Sequence, residues 1–298
     1  MTAEPELYEY DDRTGKLTIT RNSGFFALCT ITLNALSNFC PNQRRVNVAW
    51  DPQYSWTWSD GNQSGTNLFE LYFEPNSDLD VKSLVKFSPV SQYDIYEDLN
   101  FKQLTPYVRS YFVPSARVRG KQEEFLRKYG IEYENTIGLC YRATDKWWEI
   151  AQIQPDYYVQ EAKRLVAKNE TLRVLVQTDQ RQVRDFCVRE LGERAFFLAE
   201  MPVTRSTVGV HRLSESERGI SNFELGVRIL AAVNILANCK YLITHTGSVG
   251  LWTCLYRGTA RNTCQLKPGA PDVFSRFDGE VGIKRALFKR LRRLIINN

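Results

Sequence analysis

Ile137-Gly138-Leu139-Cys140-Tyr141-Arg142-Ala143-Thr144-Asp145-Lys146-Trp147-Trp148-Glu149-Ile150 is the stretch on which the reading of the fold turns. Its first five residues form an apolar run of the length of a buried strand. The run then gives way to charged and hydroxyl side chains: Arg142, Thr144, Asp145, Lys146 and Glu149. In open α/β sheets ligands bind beyond the carboxyl ends of the strands. A cationic cluster with a nearby carboxylate at such an end therefore suits an anionic ligand and acid/base work. A solvated loop with ordinary ion pairs has the same composition, and the stretch alone does not separate the two readings.

Toward the C-terminus the pattern alternates. Helices are predicted over 155–169, 181–191 (stopped by Gly192), 222–238 and 249–256, and strands over 173–178, 195–198 and 241–244. Helices alternating with short apolar strands imply a parallel sheet wound with right-handed crossovers. Two more strand ends are polar, Gln177-Thr178-Asp179-Gln180 and His245-Thr246-Gly247-Ser248. A Thr-Gly-Ser turn opening a helix offers N–H and hydroxyl donors to a diphosphate. Three strand ends, marked by Arg142, Asp179 and Ser248, are thus expected on one edge of one sheet.

Toward the N-terminus, a strand over 17–20 leads through Asn22-Ser23-Gly24 into a buried helix over 25–39. Gly24 either lets helix N–H groups approach a phosphate or a sugar, or simply makes a tight turn. A strand over 46–50 is closed by Asp51-Pro52. Trp56, Trp58, Asp60, Asn62, Asn67, Tyr72 and Phe73 follow within a short span. Rings among amides and hydroxyls suit a sugar face, and the same rings suit a satellite core. Asp78-Leu79-Asp80 has metal-ligand spacing but no preceding strand, so helix capping is the better account. A helix over 121–129 with Gly130 as its cap begins the second half, and the join is expected in 114–120.

The 298 residues, 43% hydrophobic and 24% charged, carry no disorder signature and allow two units of about 150 each. No apolar run has membrane-spanning length, and Met-Thr-Ala-Glu-Pro-Glu lacks a signal-peptide pattern, so the expected compartment is the cytoplasm. Seven scattered cysteines without a Cys-x-x-Cys pair fit buried thiols in a reducing compartment, and two histidines argue against a His-rich metal site. The net charge is +5, yet Lys284, Arg285, Lys289, Arg290, Arg292 and Arg293 of one expected C-terminal helix exceed it. The basicity is local, so nucleic acid is not an expected partner. That helix either packs back on the N-terminal half or rests on an anionic membrane.

On these residues, the chain from about 120 to 266 resembles the donor half of the GT-B fucosyltransferases, in particular the core α1,6-fucosyltransferases and the rhizobial nodulation fucosyltransferase. Their His-x-Arg-Arg-Thr-Asp-Lys box is matched by Cys140-Tyr141-Arg142-Ala143-Thr144-Asp145-Lys146, with Glu149 at the place of the catalytic carboxylate. Their Ala-Thr-Asp-Asp box resembles 177–180, and their Ser-rich turn resembles Thr246-Gly247-Ser248. Cys140 stands where the family has His, and Ala232 where it has a guanine-reading Asp, a role that Glu224, two turns earlier on the same helix, could take only if the ribose or base sits differently.

The resemblance implies an α/β GT-B fold of two Rossmann-like domains, 1–119 for the acceptor and 120–298 for the donor, with a cleft between them. It implies an inverting, metal-independent transfer from a nucleotide sugar, with GDP-fucose as the candidate, to a glycan or lipid-linked glycan. Glu149 is the implied base, Arg142 the cation on the diphosphate, and Lys146 a second catalytic cation. Gly24, Cys140, Asp179, Glu224, Thr246, Gly247 and Ser248 are the remaining donor-site candidates, and Trp56, Trp58 and Asp60 the acceptor candidates. No cofactor is expected. A nucleotide- or glycan-binding protein of the same fold without catalysis is the alternative, and a different Rossmann enzyme is disfavoured by the lack of Gly-x-Gly-x-x-Gly after any strand.

Overall fold

The computed structural model describes residues 7–39, 46–60, 65–75, 87–142, 144 and 153–267. The apolar run of the deciding stretch forms strand β4 (Thr136–Tyr141), buried at all six positions. Such complete burial marks the centre of a parallel sheet covered on both faces. β5 (Arg173–Thr178) and β6 (Ala195–Phe196) lie on one side of it, and β7 (Tyr241–His245) and β8 (Thr263–Leu266) on the other. All pairings are parallel, in the order β6-β5-β4-β7-β8. The chain winds outward from β4 and returns to β7, so the sheet reverses direction between these two strands. In a doubly wound sheet that is where a crevice opens beyond the strand ends.

The alternation within β4 sorts its side chains between two cores. Ile137, Leu139 and Tyr141 pack with α5 (Pro155–Lys168) and α6 (Arg181–Leu191), while Cys140 joins the cluster that contains α8 (Asn222–Asn238) and α9 (Ser248–Arg257). Gly138 faces α8: a Cβ there would lie 2.8 Å from Leu236 Cδ2, so any larger residue requires the Leu236 side chain to shift.

A smaller three-stranded sheet lies N-terminal. β1 (Tyr8–Asp11) and β2 (Lys16–Ile19) are antiparallel, and β3 (Asn47–Trp50) runs parallel to β2 after the crossover helix α1 (Phe25–Phe39). β1 was not predicted, because its alternating polar residues leave no fully buried position. Eleven of the fifteen residues of α1 are buried, which requires cover all round rather than on one stripe. Part of that cover comes from α9: Trp252 Nε1 donates to Thr30 Oγ1 at 2.9 Å, and the rings of Phe26 and Trp252 stack. One hydrophobic cluster therefore runs from the small sheet into the large one.

α2 (Leu68–Tyr72) and α3 (Phe101–Tyr111) connect the halves. α4 (Ala116–Tyr129) starts five residues before the expected helix, and Gly130 closes it as expected. Among the described residues no helix is long and apolar enough to cross a membrane. The basic segment 283–296 and Asp78-Leu79-Asp80 lie outside the described residues.

Candidate functional site

A cavity of about 1070 Å³ opens beyond the carboxyl ends of β4, β5 and β7. Its walls come from both halves: the turn and first residues of α1 at 22–27, Trp56 to Trp58, one face of α8, and the segment before α8. The register that pairs Tyr141 with Thr178 sets the next residues, Arg142 and Asp179, side by side. Arg142 Nε lies 2.9 Å from Asp179 Oδ2, and Thr144 donates its hydroxyl to the same oxygen at 2.7 Å. The Nε–H does not aim along a hydrogen bond to that oxygen, so the pair is held by charge and proximity. Asp179 is thus a partner of Arg142 rather than an independent donor contact. Ala143, Lys146 and Glu149 lie outside the described residues.

Cys140 lines the cavity at 2% exposure. Burial pushes its thiol up to about 12, against the opposing pull of the Arg142 charge, so it is an uncharged thiol near neutral pH.

The turn before α9 is shaped by one residue. Gly247 adopts φ 152° and ψ 167°, a region essentially restricted to glycine. The side chains around it are committed within the protein. Tyr96 accepts the Gly247 N–H through its hydroxyl at 2.9 Å and donates back to the Gly247 carbonyl at 2.8 Å. Gln265 of β8 donates to Thr246 Oγ1 and to the Asp94 carbonyl, while accepting the Tyr96 N–H. Ser248 Oγ donates to Gln92 at 2.6 Å. The expectation that the Thr246 hydroxyl faces a ligand is therefore corrected, since Thr246 does not line the cavity. Gly247 does line it, although its N–H is held by Tyr96. Ser248, Val249 and Gly250 line it too, and they form the first turn of α9, where backbone N–H groups have no intrahelical acceptor.

Gly24 lines the cavity with nothing within 4 Å of where a Cβ would be, so it leaves open space rather than relieving strain. Glu224 is corrected too. Its carboxylate meets Arg228 at 2.8 Å, Arg117 at 3.4 Å and Lys121 at 3.6 Å, tying α8 to α4 outside the cavity lining. These cations hold the Glu224 carboxyl below its usual range although burial opposes them. Ala232 does line the cavity, between Ile229 and Val233, and makes this wall apolar.

Of the acceptor candidates, Trp56 is exposed and lines the cavity. Trp58 is 1% exposed, edge-on to Phe25 and stacked near His211, with Nε1 donating to the Ser23 carbonyl; it is chiefly a core ring with one edge at the cavity. Asp60 accepts the Phe223 N–H at 2.7 Å and lies outside the cavity lining, so its reading as a direct contact is corrected. Gln92, Tyr96, Arg218 and Gln265 were missed. Gln92, Tyr96 and Gln265 act on residues far away in the chain, and Arg218 ends a short helix, α7 (Glu215–Arg218), whose capping box marks the helix and not a site.

The NodZ alpha-1,6-fucosyltransferase soaked with GDP-fucose superposes with a TM-score of 0.53 at 14% identity, over 88% of this chain and 99% of that one. The fucosyltransferase NodZ from Bradyrhizobium gives 0.51 at 15%, over 85% and 96%. The chain has a fucosyltransferase-like GT-B fold. No protein-family model and no curated protein matches it by sequence. In this fold the reversal between β4 and β7 and the N-terminal turn at Gly24 face one cavity, whose volume is at the upper end for a small-molecule pocket.

Proposed function

We propose that the protein is an inverting, metal-independent glycosyltransferase that moves a sugar from a nucleotide sugar, GDP-fucose being the first candidate, to a glycan hydroxyl. One observation carries this reading: the tips of β4, β5 and β7 bring Arg142, Asp179 and the first turn of α9 to a single cavity at the switch point of the sheet. Residues 1–119 would then serve the acceptor and 120–298 the donor.

In the proposed reaction Glu149 takes the proton of the acceptor hydroxyl as its oxygen attacks the anomeric carbon. The bond from that carbon to the phosphate oxygen breaks, and its electron pair leaves on the diphosphate. Arg142, oriented on its Nε side by Asp179, and the N-terminal amides of α9 neutralise the charge that grows there. Lys146 adds a second cation. Because arginine and helix-end amides can do this work, the step needs no divalent ion. Trp56 offers its exposed ring to the acceptor. A lipid-linked acceptor, presented at a cytoplasmic membrane surface touched by the basic segment 283–296, extends the same reading.

The apolar wall at Ala232 and the thiol at Cys140 favour a second reading, a nucleotide- or glycan-binding protein of this fold that has lost catalysis. One experiment separates the two. The full chain is screened by thermal shift with GDP, UDP and CMP, and nucleotide release from GDP-fucose, UDP-glucose and CMP-sialic acid is followed with and without EDTA. Transferase activity predicts stabilisation by one nucleotide and release from its sugar, including slow hydrolysis, that survives chelation. Stabilisation without release supports the binding protein, and stabilisation by none of the three removes the transferase reading and leaves only glycan binding of the second.

A further inference from the structure

The segment ahead of α3 reaches from the N-terminal half to the turn that opens α9. A short 3₁₀ helix over Pro89–Tyr93 packs against both α1 and α9. Just beyond it, Tyr96 grips both backbone groups of Gly247, and Gln265 holds the Tyr96 N–H and the Asp94 carbonyl. These bonds fix the segment on the α9 turn, and Gln92 within it lines the cavity.

Gln92 and Ser248 meet there, both half-buried. Ser248 Oγ donates to Gln92 Oε1 at 2.6 Å. The Ser248 proton is therefore in use, and toward a ligand this hydroxyl offers only lone pairs. The same bond turns the Gln92 carboxamide so that its oxygen faces Ser248. The two N–H donors on its other edge have no acceptor among the described residues.

The groups around that edge select an anion. Ser248, Val249 and Gly250 supply backbone N–H groups without intrahelical acceptors, at the positive end of the α9 dipole. β4 and β7 are adjacent, so Arg142 opens on the same side of the cavity. The carboxylate at these strand ends, Asp179, already serves Arg142 and Thr144. Donors converge here, and an acceptor-rich group such as a diphosphate satisfies them.

We propose that Gln92 is a phosphate-binding residue contributed by the N-terminal half. Its Nε2 donates to an oxygen of the donor diphosphate, and Ser248 acts through Gln92 as a positioning residue rather than as a direct phosphate ligand. The proposal rests on the nucleotide-sugar reading of the cavity, and it gives the N-terminal half a part in holding the leaving group.

The test is calorimetric titration of the full chain with inorganic pyrophosphate, GDP and UDP. Wild type is compared with Gln92→Ala, Gln92→Glu, Ser248→Ala and the Gln92→Ala/Ser248→Ala double variant. Gln92→Ala should weaken pyrophosphate, and whichever nucleotide binds, about tenfold or more, as for loss of a hydrogen bond to a charged group. Gln92→Glu can still accept from Ser248 but sets a carboxylate oxygen in place of the NH2, so it should weaken them further, with melting temperatures close to wild type. Ser248→Ala should weaken them too. The double variant should be no weaker than Gln92→Ala alone, because the serine acts through the glutamine. Near-wild-type affinity in Gln92→Ala overturns the proposal, and tighter binding does so by showing that the amide oxygen faces the ligand. Additive losses overturn the positioning role of Ser248. If Gln92→Ala does not fold, wild-type affinity in Gln92→Glu overturns the phosphate contact equally. GDP or UDP binding that is indifferent to Gln92 leaves the nucleotide-sugar reading standing without this residue, whereas a wild-type protein that binds none of the three probes removes both.

Discussion

Arg142 Nε lies 2.9 Å from Asp179 Oδ2, and this pair joins the tips of two adjacent parallel strands at the cavity. The ion pair is partly open to solvent, so it contributes little to stability by itself, on the order of 0–1 kcal/mol. Its consequence is orientation: a carboxylate on the Nε side limits how the guanidinium plane can turn.

Replacing Arg142 by lysine keeps the charge and removes the planar fork that can bridge two phosphate oxygens. Arg142→Lys should lower single-turnover transfer by roughly 10²- to 10³-fold, as for loss of one donor to a developing anion, and Arg142→Ala should lower it further. Melting temperatures should stay close to wild type. A stable Arg142→Lys protein with near-normal turnover would sink the phosphate role.

Glu149→Gln should remove most transfer and leave nucleotide affinity nearly intact, because an amide cannot take the acceptor's proton. A positioned base contributes about 10²- to 10⁴-fold. Turnover within a few-fold of wild type would move the base to another group, such as Asp145.

Tyr96→Phe leaves the Gly247 N–H buried without its acceptor. The expected loss is about 1–3 kcal/mol of stability, read from the urea midpoint. Nucleotide affinity should fall as well, because the turn that opens α9 is held by that hydroxyl. Unchanged stability and affinity would show that the turn keeps its shape without Tyr96.

The six cysteines among the described residues are all buried, and burial raises the thiols of Cys140, Cys187, Cys239 and Cys254 from 9.0 to about 12. Above pH 9 the unfolded chain releases these protons while the folded chain retains them, so stability should fall as pH rises from 9 toward 12. Near neutral pH almost no thiolate forms at these sites. Native protein should therefore leave all six unreacted with a thiol reagent, and denaturant should expose them. Rapid native labelling of any of the six contradicts this burial.

Local order was readable where one period dominated. β4, β5, α1 and α8 carry long apolar patterns with clear stops, and their observed spans agree with the expected ones to within a residue. β1 and β8 were missed, and β6 is only two residues long where four were expected. β1 and β6 have no fully buried residue, and β8 buries Thr263 and Gln265 along with Cys264, so none of the three shows a clear apolar pattern and pairing with a neighbour decides them.

The sequence by itself determined that polar groups stand at the ends of three strands, because an apolar run followed by charge marks a strand end whatever surrounds it. Tertiary structure alone decided what those groups do. Parallel register set Asp179, 37 residues on in the sequence, beside Arg142. Tyr96 and Gln265, far from the turn in sequence, took hydrogen bonds that had been assigned to a ligand. Trp58 was drawn into the core while Trp56, two residues away, stayed in solvent. Each of these outcomes depends on a contact between distant segments, and local composition carries no record of which distant atom will arrive.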